Sequence, residues 1–187
     1  MNVYNERTVA FLARNGAQNI CLPTEMPATA IAALCQSVRD LEITIEVQVF
    51  GRQSLALSAR CYHARAHGRT KDSCRFVCEN DPDGLVLSTL DGRSFLTVNG
   101  VQTLSYEYLN LIHELPALRA MGVSRFRLSP HNLDMVEVAL IFADVAEGRL
   151  ATDEAALRLE AVKPAAPFAN GFYHGKPGYT WNGVSTI

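Results

Sequence analysis

No run of about eighteen consecutive apolar residues occurs in this chain of 187 residues, and no charged-then-apolar leader opens it. A membrane-spanning helix needs a run of that length, so neither a span nor secretion is expected, and a reducing cytoplasm is the expected compartment. An excess of one charge sign is also missing. Lys and Arg number 17 against 19 Asp and Glu, a net charge of −2, which excludes a general attraction to nucleic acid and leaves only local basic patches. Internal repeats and low-complexity tracts are absent as well, so a repeat architecture is not expected. What is present is 48% hydrophobic and 19% charged, enough to bury a core with no disulfide scaffold.

Cysteine, scarce elsewhere, is concentrated. Three of the five lie in Ser58-Ala59-Arg60-Cys61-Tyr62-His63 and Lys71-Asp72-Ser73-Cys74-Arg75-Phe76-Val77-Cys78, an array with twelve and then three residues between thiols. Thiolates select zinc, copper(I) or iron–sulfur clusters because polarizable sulfur bonds best to soft or borderline metals. Three are one short of a full set of four. Arg60, Arg65, Arg69, Lys71 and Arg75 flank them, and cations favour the thiolate form and offset the negative charge of a four-thiolate centre. Cys74 and Cys78 are four apart, so a helix there puts both sulfurs on one face, with Cys61 arriving from a preceding loop. Separate cysteines packed as small hydrophobes are the plain alternative, but Arg60, Asp72, Arg75 and Glu79 are poor neighbours for an apolar core. A zinc site of three cysteines with His63 or His67 is the rival on the metal side. Cys21 and Cys35 sit in apolar stretches and are expected to be core thiols.

Helix and strand signals alternate along the chain. A helix over 5–15 opens on Asn5 and stops at Gly16; a short strand follows from Asn19 to Pro23. Pro27 opens a second helix to about Arg39, as a proline at the first helical position does, and Ile43 to Phe50 is a second strand. Leu85–Leu90 and Arg93–Val98 flank Asp91-Gly92, a hairpin signal that reads as an insertion. A helix from Ser105 to about Met121, a strand from Arg125 to Leu128 and a helix from His131 to Glu147 complete the rhythm.

This alternation predicts an α/β fold with a mostly parallel sheet, three clear parallel strands and a stub at Val3-Tyr4. A closed eight-stranded barrel needs about 250 residues, so residues 1–149 are expected to be the C-terminal half of a TIM-barrel-like domain carrying the cysteine-rich hairpin insertion. Met1 stands directly before the stub, which suggests an internal start codon or a truncated reading frame; a half-barrel that dimerises is the alternative. Residues 150–187 are expected to form an irregular arm rich in Gly, Pro and aromatic residues, whose rings either line a pocket or anchor the arm to its own domain.

Glu46-Val47-Gln48-Val49-Phe50-Gly51-Arg52, Ser58-Ala59-Arg60-Cys61-Tyr62, Lys71-Asp72-Ser73-Cys74, Val98-Asn99-Gly100-Val101-Gln102-Thr103-Leu104-Ser105 and Arg127-Leu128-Ser129-Pro130 together resemble the U32 peptidase-like family, most of all its branch serving oxygen-independent ubiquinone biosynthesis. The resemblance runs from Asn2 to the aromatic arm. It implies a barrel-like α/β domain and a 4Fe–4S cluster held by four cysteines. It also implies a heterodimer with a UbiU-like partner and a UbiT-like lipid-binding protein, acting together on the aromatic ubiquinone precursor. Cys61, Cys74 and Cys78 match the family's last three ligands. The first falls in an N-terminal half that this sequence lacks, and neither Cys21 nor Cys35 stands in its place.

A cysteine peptidase needs a thiolate, a histidine base and an orienting group close in space. Cys61 and His63, two apart in an expected loop, do not suggest one. Gln102, Arg127 and Ser129 are pocket candidates, because Asn99-Gly100 and Arg127-Leu128-Ser129-Pro130 read as strand-to-helix hand-overs at a barrel rim. Arg127 there suits a carboxylate substrate. An RNA-base hydroxylase, as other members of this family are, and a non-catalytic scaffold bearing a structural cluster are the competing functions.

Overall fold

The computed structural model describes residues 2–183, so the expectation attached to Met1 and the last four residues of the arm lie outside the described residues. The chain is α/β, and its sheet has seven strands of mixed direction in place of the mostly parallel one expected.

The first half follows the local signals. Helix α1 (Glu6–Arg14) starts where Asn5 Oδ1 accepts the Thr8 amide at 2.9 Å, with Glu6 in the first turn and Arg14 in the last complementing the helix dipole. Strand β1 (Asn19–Cys21) leads into α2 (Ala28–Ser37), where Pro27 occupies the capping position with extended backbone, one residue earlier than expected. Strand β2 (Thr44–Leu57) is the longest element, running seven residues beyond the predicted end at Phe50.

Strand β2 has two allegiances. Its first half lies parallel between β1 and β6 (Arg125–Leu128), with Ile20 opposite Ile45 and Phe126 opposite Val47; these are the three parallel strands expected. From Phe50 onward it pairs antiparallel with β5 (Gln102–Asn110). Gly51 has φ +97°, and a Cβ there would lie 2.7 Å from the Ser129 carbonyl oxygen, so this crossover tolerates no side chain.

Strand β5 overturns the helix expected from Ser105. Those residues instead bind two ladders, β2 on one side and β4 (Ser94–Asn99) on the other, and only Leu115–Met121 forms a helix, α4. Asn99-Gly100 belongs to the tight turn joining β4 to β5, with Gly100 at φ +61°, so no strand hands over to a helix there. The hairpin of β3 (Leu85–Ser88) and β4 forms around Asp91-Gly92 as expected, but it continues the sheet through β5 and is no separate insertion. The stub at Val3-Tyr4 does not join the sheet, although Val3 is buried.

After β6, helix α5 (Met135–Ala146) starts four residues later than predicted, where Asp134 Oδ1 accepts the Val136 and Glu137 amides. The arm begins with a regular helix that the sequence did not announce, α6 (Thr152–Ala161), packed on α5. The short strand β7 (Phe168–Ala169) then adds parallel to β5. Phe50, 1% exposed, centres the core: Tyr108, Phe142 and Phe168 surround it at ring distances of 5.7 to 6.3 Å. No helix among the described residues is long and apolar enough to cross a membrane.

Candidate metal centre

The cysteine segment occupies the connection between β2 and β3. Helix α3 (Tyr62–Ala66) is a single turn whose cap is Cys61, the thiol sulfur accepting the Ala64 amide at 3.3 Å. This turn buries His63 and Ala64 completely against the meander. Two 3-10 turns, Lys71–Ser73 and Val77–Asn80, carry the chain past Cys74 and Cys78. Between them Arg75 and Phe76 adopt φ of +49° and +53°, so the helix expected to align these two sulfurs is broken; the left-handed pair reverses the chain instead. Cys74 sulfur lies 3.5 Å from the Phe76 amide, which donates to it.

All three thiols are unpaired and half-buried. Beside Cys61 opens a cavity of about 460 Å³ lined by Arg60, Arg65 and Lys71. Burial pushes the Cys21 thiol up to about 11 and raises that of Cys35; Cys35 is the core thiol expected, whereas Cys21 is half-buried and lines a cavity, so the core expectation holds for Cys35 alone. The donor set at 61, 74 and 78 therefore suits a soft metal in type and accessibility and is one ligand short in number. The three sulfurs are not all within 4.8 Å of one another.

A buried polar network secures the end of the segment. Arg52, 3% exposed on β2, pairs with Asp83 at 2.7 Å and donates to the carbonyls of Ser105 and Tyr106. Tyr108 donates to the other Asp83 oxygen at 2.6 Å, and His131 Nε2 accepts the Arg52 amide at 2.8 Å. Burial first, with Arg52 adding to it against Asp83, lowers His131 to about 4. A neutral ring is what the geometry requires, since Nε2 must keep its lone pair to accept that amide. The 3.7 Å approach of His131 Nδ1 to Asp83 is therefore not an ion pair.

The pocket candidates separate. Arg127 stands on β6 at 2.5 Å from Glu46, which also accepts from Asn19 at 2.9 Å. Burial opposes ionisation of Glu46, but these hydrogen bonds outweigh it and hold its carboxyl below the usual range. Arg127 lines a cavity of about 490 Å³ together with Cys21, Gln48 and Phe172. Gln102 pairs with Leu57, whereas Arg127 pairs with Gln48, and these partners lie at opposite ends of one stretch of β2, roughly 30 Å apart if fully extended. Ser129 packs behind Gly51. Of the three, only Arg127 lines this cavity.

Sequence inspection missed Arg52, Asp83 and the pairing of Asp81 with His63. An arginine directly after an apolar strand run, Val47-Gln48-Val49-Phe50-Gly51-Arg52, was the available signal for the first; the aspartates gave none.

The family model described as Peptidase family U32 matches residues 1–183. No solved structure matches the chain.

Proposed function

The chain belongs to peptidase family U32, and on that footing we propose that it is the iron–sulfur subunit of an oxygen-independent hydroxylation system for the ubiquinone precursor ring, of the UbiV kind. Its cluster, a 4Fe–4S centre, would be held by Cys61, Cys74 and Cys78 with a fourth ligand from outside these 187 residues. The observation that carries this reading is the contrast among the five cysteines. Three sit in one cation-flanked segment, two of them as acceptors of backbone amides, while Cys35 is a core thiol and Cys21, equally half-buried, lines the Arg127 cavity with its thiol raised by burial. Amide hydrogen bonds to sulfur are among the protein's means of tuning such a centre.

When bound, the cluster supplies one-electron chemistry. The protein's own residues supply position and charge. Arg60, Arg65 and Lys71 offset the negative thiolates, and Arg127, half-exposed beside its cavity, offers a planar fork to a carboxylate on the ring. A UbiU-like partner and a UbiT-like lipid-binding protein complete the system in the cytoplasm. Peptidase chemistry is a poor match to this segment: His63 spends one ring nitrogen on the Val98 carbonyl and the other on Asp81, leaving none to act as base for Cys61.

Anaerobic iron and sulfide analysis with a visible spectrum tests the proposal on this chain and on a version extended by its upstream coding sequence. The expected result is about four iron and four sulfide per extended chain and fewer in the shorter one. Zinc in place of iron would overturn it, as would a purified complex that carries RNA and hydroxylates a base.

A further inference from the structure

Among the described residues, one group of three or more His, Cys, Asp or Glu side chains brings all its donor atoms within 4.8 Å of one another, and it contains no cysteine. His63 and His67 stand four apart on the α3 turn, so their rings emerge on one side and stack at 5.4 Å with planes 11° apart. Asp81 comes back from the end of the second 3-10 turn. A single carboxylate oxygen, Oδ2, lies 2.7 Å from His63 Nε2 and 3.1 Å from His67 Nε2.

The orientation of His63 is fixed. Its Nδ1 is 3.2 Å from the Val98 carbonyl oxygen, which can only accept, so Nδ1 carries a proton and neutral His63 points an Nε2 lone pair at Asp81. A carboxylate oxygen also only accepts. His63 Nε2 and Asp81 Oδ2, 2.7 Å apart, therefore converge on one point as two donor atoms a cation can share. A divalent ion answers both lone pairs at once, and the carbonyl–imidazole–metal arrangement is the usual way a protein fixes a histidine ligand.

We propose that His63, His67 and Asp81 form a binding site for a divalent transition metal ion, zinc or a chemically similar cation, separate from the three thiols. Two imidazoles and a carboxylate are an established donor set for such ions, leaving a fourth position for water or another ligand. Tetrahedral ligands at 2.0–2.2 Å stand roughly 3.3–3.5 Å apart, so the observed spacings need to open by only about half an ångström. His67 and Asp81 are 32% and 25% exposed, which gives the ion a way in. The site is independent of the iron–sulfur proposal, since none of its donors is sulfur.

The test uses the whole chain with Cys61→Ser, Cys74→Ser and Cys78→Ser combined, titrated with Zn²⁺ and then with Co²⁺ as a spectroscopic probe. About one ion per chain is expected, with cobalt bands in the visible and no sulfur-to-cobalt charge transfer. Binding should weaken at least tenfold in His67→Ala and in Asp81→Asn. No uptake by the folded serine chain, or uptake indifferent to both substitutions, overturns the site. If the serine chain does not fold, the unmodified chain decides the same question: nitrogen–oxygen cobalt bands that His67→Ala removes uphold the site, and thiolate charge transfer alone overturns it. Iron and sulfide content is read separately, so the two proposals fail independently.

Discussion

His131 shows how one residue ties stability to pH. Its ordinary value is 6.5 and its value in the fold is about 4, so between these two the unfolded chain binds more protons than the folded one. Stability is therefore complete above pH 6.5 and is lost as pH falls toward 4, by on the order of 3 kcal/mol from this side chain. Urea titrations at pH 7 and pH 4.5 should show this loss. His131→Gln, whose side-chain oxygen can still accept the Arg52 amide, should reduce it; an unchanged pH dependence in that variant would mean other groups carry the acid sensitivity. Residue chemistry was the most legible level of the sequence. Cys61, Cys74 and Cys78 were set apart by their charged neighbours; burial in the structure separates them from Cys35 but not from Cys21, which is half-buried as they are. The spacing of His63 and His67 was visible too. Asp81 was not, since nothing local marks an aspartate 14 residues away as their partner.

At the scale of elements, Gly51 is the point where β2 leaves its parallel neighbours and joins the meander. Gly51→Ala must hold φ +97° with a side chain and push the Ser129 carbonyl and the His131 ring aside. It is expected to destabilise by about 2–4 kcal/mol, measured by chemical denaturation; a loss below about 1 kcal/mol would mean that the strand crossover can relax. Elements with their own caps and periodicity were readable: α1 from Asn5, β1, α2, and the apolar first half of β2. The second half, Arg52-Gln53-Ser54, looks too polar for a strand, and Ser105 looks like a helix cap. Both become strand because they pair with each other, Arg52 with Tyr108 and Ser54 with Leu104, residues about fifty positions away. Pairing of that range is invisible to local pattern.

At the scale of the whole molecule, the arm holds to the domain through a few buried polar contacts. Glu114, 6% exposed, accepts from Asn170 at 2.9 Å and from His174 at 2.8 Å, and the Tyr173 carbonyl accepts the Ala28 amide at 2.9 Å. Phe168 and Tyr173 are turned into the core, so the aromatic arm anchors to its own domain, whereas Tyr179 and Trp181 stay exposed. Glu114→Ala is expected to cost about 2 kcal/mol and to raise deuterium uptake selectively in peptides covering 168–182. Uniform uptake across the molecule would show that the contact supports the core and not the arm in particular.

The double allegiance of β2 also sets an order of events during synthesis. Its residue Glu46 leaves the ribosome 79 positions ahead of its parallel partner Arg125. At roughly 5–20 residues per second, one apolar edge of the sheet's longest strand waits about 4–16 s for its neighbour, with the whole cysteine segment emerging in the interval. Those thiols emerge before the sheet is complete, so under the proposed function metal delivery and chain growth would compete for the same few seconds.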